Sequence, residues 1–244
     1  MRIVLTLFVM LALAGCGSRG DEELLVSAAA SLTGAFAGIE EAFESAHPEV
    51  DVVLNLGGSS ALREQILEGA PADVFASANR SNMDQVVAAG DSAGDPRIFA
   101  VNRLQIAVPA GNPAGVHGLD DFSEGDLLLG VCAEGVPCGD FAREAFSRAG
   151  VALSVDTSEP DVRALLTKIE AGELDAGITY VTDVVSTNGS VEGIDIPESV
   201  NVDAEYPIVL LRHAAESEAA RAFIEFVLSE EGQAIMREYG FASP

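Results

Sequence analysis

The chain has 244 residues and a formal charge of −26, from 13 lysines and arginines against 39 aspartates and glutamates. That excess of acid excludes a nucleic-acid binder, whose affinity comes from cations that neutralise phosphates, and a peripheral protein held to lipid by a polybasic patch. Disorder is excluded too, because 48% hydrophobic and 21% charged residues make a globular composition, and three histidines leave little for a histidine-rich metal site.

The chain opens on Arg2, and Ile3 to Ala14 is apolar at eleven of twelve positions, Thr6 being the exception. A membrane-spanning helix needs about 20 apolar residues, so this run reads as the core of a signal peptide over residues 1–15. It ends in Leu13-Ala14-Gly15-Cys16, which resembles a bacterial lipobox, with Cys16 as the lipidated new N-terminus and residues 16–23 as a polar tether. An ordinary secretory signal with an incidental cysteine is the alternative. Export leaves Cys132 and Cys138 as a pair outside the cytoplasm, where a disulfide is expected; two buried thiols are the alternative.

Strands and helices then alternate. Leu24-Leu25-Val26 reads as a strand, and Leu32, Ala35, Phe36, Ile39, Ala42, Phe43 and Ala46 form a helical stripe that His47-Pro48 stops. Val50 to Leu56 is a strand, Ala61 to Glu68 a helix and Ala72 to Ala76 a buried strand. Ser81-Asn82-Met83-Asp84 has the form of a capping box opening the next helix. Leu104 to Val108 restarts the pattern, and a Gly/Pro/Asp-rich loop follows through Asp126. Next come a strand at Leu127 to Val131, a helix at Phe141 to Ala149 and a strand at Val151 to Val155. A helix at Asp161 to Ala171 precedes a strand at Ala176 to Val181. Ser186 to Val202 is irregular, Ile208 to Leu211 a strand, and the remainder one helical element with Phe223, Phe226, Val227, Ile235, Met236 and Tyr239 inward. This order predicts an α/β protein whose parallel sheet is covered on both faces.

Several strand-to-helix junctions share one chemistry. Ser31 precedes the first helix; Ser59 and Ser60 follow Gly57-Gly58; Gly139 and Asp140 follow Cys138; Ser158-Glu159-Pro160-Asp161 opens the helix carrying Val162. The first N–H groups of a helix lack internal partners and carry partial positive charge. Helix starts that converge at the C-terminal ends of strands therefore hold an anion without lysine or arginine. Each serine alone is equally an N-cap. A second reading makes Ser59 a hydrolase nucleophile, since Gly57-Gly58-Ser59-Ser60-Ala61 approaches a nucleophile elbow, with Asp175 or Asp183 and His213 following in order. The last glycine of that elbow is alanine here, and no oxyanion motif precedes it. His47 and His117 sit in loops, no Cys/His spacing fits zinc, and Asp120-Asp121 lacks the pattern of a calcium loop.

Longer stretches carry a resemblance. Ala28-Ala29-Ala30-Ser31-Leu32, Gly57-Gly58-Ser59-Ser60-Ala61-Leu62, Gly69 to Ala78, Val136-Pro137-Cys138-Gly139, Asp161-Val162-Arg163, Ala176 to Tyr180 with Asp183, Glu205-Tyr206-Pro207 and Tyr239-Gly240-Phe241 are similar, in order, to the periplasmic molybdate-binding proteins of ABC importers. The resemblance implies a two-lobed periplasmic-binding-protein fold, each lobe a mostly parallel sheet flanked by helices, with a hinge and a ligand cleft between them. Residues 24–102 plus 203–244 would form lobe I and 103–202 lobe II. It implies a binding protein and not an enzyme, a monomer without a cofactor, anchored through its lipid and served by a permease and its ATPase. Molybdate or tungstate would be held as an oxyanion, with no direct metal ligand, by Ser31, Ser59, Cys138, Val162 and Tyr180. Another tetrahedral oxyanion such as sulfate is the alternative cargo. Cys138 stands where some members have alanine, which matters little to a backbone donor.

Overall fold

The computed structural model describes residues 22–123, 125–214 and 217–244. The expected signal peptide and Cys16 lie outside them; among the described residues no helix is long and apolar enough to cross a membrane.

Among the described residues nine strands, β1 (Glu22–Ala29), β2 (Val50–Gly57), β3 (Val74–Ala76), β4 (Arg97–Pro109), β5 (Leu129–Cys132), β6 (Thr157–Glu159), β7 (Ala176–Tyr180), β8 (Val191–Asp195) and β9 (Asp203–Leu210), run in the order β2-β1-β3-β9-β4-β7-β5-β6, with β8 also on β4. The helices are α1 (Thr33–Ala46), α2 (Ser59–Leu67), α3 (Arg80–Ala88), α4 (Pro137–Ala149), α5 (Val162–Glu170), α6 (Val181–Ser186), α7 (Glu218–Leu228) and α8 (Glu230–Glu238). The parallel pairs expected from the βαβ order are β1 with β2 and β3, and β5 with β6 and β7. Antiparallel strands join these two groups: β9 pairs with β3 and with residues 97–103 of β4, whereas residues 104–109 of β4 pair with β7 and β8. One long strand thus pairs with both groups.

Burial follows the helical stripes. Phe36 and Phe43 of α1 meet Phe99 and Phe223 at ring separations of 5.3–6.1 Å, mostly tilted or edge to face. A continuous apolar core runs through both lobes, and a smaller cluster lies under α2 and α3 around Leu62, Phe75, Met83 and Val86.

Five sequence expectations need correction. Glu22 and Glu23, assigned to the tether, already pair with Val50 and Asp51. Val151 to Val155 is not a strand; its alternating apolar residues pack on the core as an extended connection, and β5 pairs instead with Thr157–Glu159. One-sided burial in an extended segment produces the same alternation as a strand, so periodicity could not separate them. The cap of α3 is Asn79, which accepts from Asn82 N at 3.0 Å, and not Ser81. The irregular stretch after Ser186 contains β8. The C-terminal helix is two helices, broken at Ser229, whose hydroxyl caps α8 by accepting from Gly232 N at 3.1 Å.

Candidate functional site

The strand ends that carry Ser31, Ser59, Cys138, Val162 and Tyr180 converge. All five line one small cleft between the lobes, together with Ala29, Ala30, Gly57, Gly58, Ala78, Val136, Pro137 and Asp161. Ser31 lies in a 3-10 turn (Ala30–Leu32) leading into α1, Ser59 is the first residue of α2, and Cys138 the second of α4. Val162 begins α5, and Tyr180 is the residue from which α6 starts. Every assigned position is therefore at a helix start. The sequence reading ends the preceding strand at Val181 and assigns no helix to residues 182–185, which hides this for Tyr180.

The helix starts are left open on the cleft side. No side chain caps the 3-10 turn, α2 or α4. Asp161 caps α5 through Oδ1, which accepts from Ala164 N at 2.9 Å and leaves the N–H of Val162 uncommitted to that cap. Ser59 Oγ accepts from Ala78 N at 3.0 Å, so its own proton is free to be donated. Ser31 Oγ lies 2.9 Å from the hydroxyl of Tyr206.

Tyr180 is fully buried, and its hydroxyl has no hydrogen-bond partner among the described residues although the Tyr206 ring packs 6.1 Å away. An orphaned buried hydroxyl is costly, and here it borders a cavity that a ligand oxygen can fill. Burial pushes the pKa of both phenols upward, so each stays neutral and able to donate. Asp183, also buried, fixes the backbone of Tyr180 by accepting from its N–H at 3.0 Å. Its carboxyl is raised to about 7, mainly by desolvation, against the lowering effects of that hydrogen bond and of Arg163.

The lobes touch over the cleft. Asn82 Nδ2 of α3 donates to Gly135 O at 3.4 Å, and a Cβ on Gly58 would lie 2.5 Å from Pro160 O. Only glycine lets these two backbones approach so closely. Cys132 and Cys138 are joined in a disulfide that ties the end of β5 to the first turn of α4.

Residues 24–242 match the family described as bacterial extracellular solute-binding proteins. The chain belongs to that family. Within it, the molybdate-binding protein ModA of Mycobacterium tuberculosis is 37% identical over 227 residues, spanning 93% of this chain and 87% of its own. Among solved structures, the periplasmic molybdate-binding protein of Azotobacter vinelandii superposes with a TM-score of 0.79 at 18% identity, covering 91% of this chain and 99% of its own. The sulfate-binding protein SubI of Mycobacterium tuberculosis does so at 0.80 and 18%, covering 91% and 87%. At such identity these two likenesses establish the periplasmic-binding-protein fold.

For this solute-binding protein the cleft chemistry is that of donors. Among the described residues no lysine, arginine or histidine lines it, and no cluster of His, Cys, Asp and Glu could hold a metal ion. The hydrolase arrangement weighed for Ser59 finds no support in the geometry: His213 is exposed in the turn Arg212–Ala214, and no histidine borders the cleft. Asp175 is bonded to Leu128 N and Asp183 to Tyr180 N. Sequence reasoning missed Asn102, the approach of Gly58 to Pro160 and the role of Tyr206. The last lies in the Glu205-Tyr206-Pro207 stretch that carried part of the resemblance, without a function attached to it.

Proposed function

We propose that this protein captures molybdate, with tungstate as an equivalent cargo, between its lobes and delivers it to the permease of an ABC importer. The observation that supports the reading is the buried hydroxyl of Tyr180, without a partner among the described residues, beside a cleft whose other polar groups are serine hydroxyls, open helix starts and Asp161, whose Oδ1 is taken up by Ala164 N. A fully deprotonated tetrahedral dianion accepts at every oxygen, so a wall of donors matches it. Neutral donors in a water-poor cleft stabilise the charge without a counter-ion, as in oxyanion holes. The 37% identity to a molybdate-binding protein supports the choice among oxyanions.

In this reading Ser31 and Ser59 donate from lobe I, while the N–H groups of Cys138 and Val162 and the hydroxyl of Tyr180 donate from lobe II. Lobe I spans residues 24–102 plus 203–244 and lobe II residues 103–202. The chain crosses between them within β4 and just before β9, and closure about these crossings buries the ion. Sulfate has the same donor-only requirement, so cavity size must discriminate. Lipidation at Cys16 would hold the protein at the outer face of the membrane near its permease and ATPase.

The test is Ser31→Ala and Ser59→Ala, singly and together, titrated with molybdate. Each lost charge-assisted bond is expected to cost about 1.5–3 kcal/mol. Wild-type affinity in the double variant would refute the assignment.

A further inference from the structure

Both serines of the cleft receive a hydrogen bond from behind. For Ser59 the donor is fixed, because Ala78 N can only donate. For Ser31 the partner is Tyr206, and either hydroxyl could give the proton. The surroundings favour one direction. Asn102 Oδ1 accepts from Arg103 N at 2.9 Å, which settles the orientation of the amide. Its Nδ2 therefore faces Thr182 Oγ1 at 2.8 Å and the Tyr206 hydroxyl at 3.5 Å. With Asn102 donating to it, the phenol oxygen is free to turn its own proton toward Ser31. Ser31 then accepts from Tyr206 and has its proton left for the cleft.

We propose that Tyr206, held by Asn102, is a positioning residue that orients the Ser31 hydroxyl as a donor into the cleft and so makes the site selective for anions that carry no proton. The inference rests on the oxyanion reading of the cleft. The relay Ser31–Tyr206–Asn102–Thr182 passes through the two strands that link the lobes. Asn102 precedes the point in β4 where pairing changes from β9 to β7, Tyr206 is on β9, and Thr182 is on α6 of the second lobe. Tyr206 also packs against Phe99 and Phe241 at 6.3 and 5.4 Å. Phenylalanine preserves that packing and removes only the hydroxyl.

The experiment is a double-mutant cycle. Molybdate and hydrogen phosphate binding are measured for the wild type, Tyr206→Phe and Asn102→Ala, each with Ser31 intact and with Ser31→Ala. Tyr206→Phe is expected to weaken molybdate binding about tenfold, and the penalty should vanish in the Ser31→Ala background. The preference for molybdate over hydrogen phosphate should also fall, because a released Ser31 oxygen can accept the phosphate's proton. Should Tyr206→Phe not fold, Asn102→Ala carries the test: it leaves the phenol free to turn and is expected to cost about threefold, again only with Ser31 present. A penalty of equal size in both backgrounds, or no penalty at all, overturns the proposal. If the wild type itself does not bind molybdate, the cleft reading fails first and this inference falls with it.

Discussion

Gly58→Ala isolates closure of the lobes from folding. Gly58 precedes α2 with φ −60° and ψ 132°, values alanine adopts without strain, so the variant should fold and even gain about 0.4–1 kcal/mol from a stiffer unfolded chain. In the closed structure, however, the new methyl would lie 2.5 Å from Pro160 O and 3.5 Å from Asp161 Cβ, both on the opposite lobe. Ordinary contact starts near 3.4 Å, so the lobes must part there by 3.4 − 2.5 = 0.9 Å. A hydrogen bond of about 2.9 Å to a bound ion, stretched by that amount, leaves the bonding range. In the proposed site Cys138, Val162 and Tyr180 donate from the opposite lobe, and loss of one such bond at about 1.5–3 kcal/mol weakens binding about ten- to hundredfold. Calorimetric titration with molybdate reads the loss, and thermal unfolding of the unliganded variant checks that the fold is intact. Unchanged affinity with an intact fold would contradict closure of the cleft as the source of binding energy.

Three further outcomes follow from the same structure. Removing the Cys132–Cys138 bond by a double change to alanine should cost about 2 kcal/mol by loop entropy; a denaturant midpoint equal to that of the oxidised wild type would reject this. The buried Asp183 carboxyl, raised from 3.8 to about 7, makes the folded state bind its proton more tightly than the unfolded chain. Its contribution to stability therefore falls as pH rises from about 4 to 7 and is flat above, so Asp183→Asn should gain thermal stability over the wild type at pH 8, by at most about 4 kcal/mol, and less than half as much at pH 5. A gain confined to pH 5 would reverse the assignment. The charge of −26 repels an incoming dianion, and with a Debye length of about 8 Å at 0.15 M salt the on-rate measured by stopped flow should rise with ionic strength; a falling rate would point to a local cationic funnel.

Much of the site was legible because its residues belong to short local junctions. Ser59 after Gly57-Gly58 and Val162 after Asp161 announce helix starts in a few adjacent residues, and the βαβ order brings such junctions to one end of the sheet. The parallel core followed from the same order. What escaped depends on partners distant in sequence. The first half of β4 reads as nothing special until β9, about 100 positions later, pairs with it. Gly58 looks like a turn residue until Pro160 arrives from the other lobe. Tyr206 and Asn102 are separated by 104 positions and meet only because the crossing strands run side by side. Composition also misleads if taken globally. An excess of negative charge argues against an anionic ligand, whereas the cleft is governed by the dipoles of the few groups that line it.

The most direct measurement is isothermal titration of the purified wild-type protein with molybdate, against sulfate and hydrogen phosphate under the same conditions. One molybdate should bind per chain with saturable heat, accompanied by a rise in unfolding temperature, and hydrogen phosphate should compete poorly. The absence of saturable heat and of any thermal shift up to millimolar molybdate would contradict the oxyanion cleft.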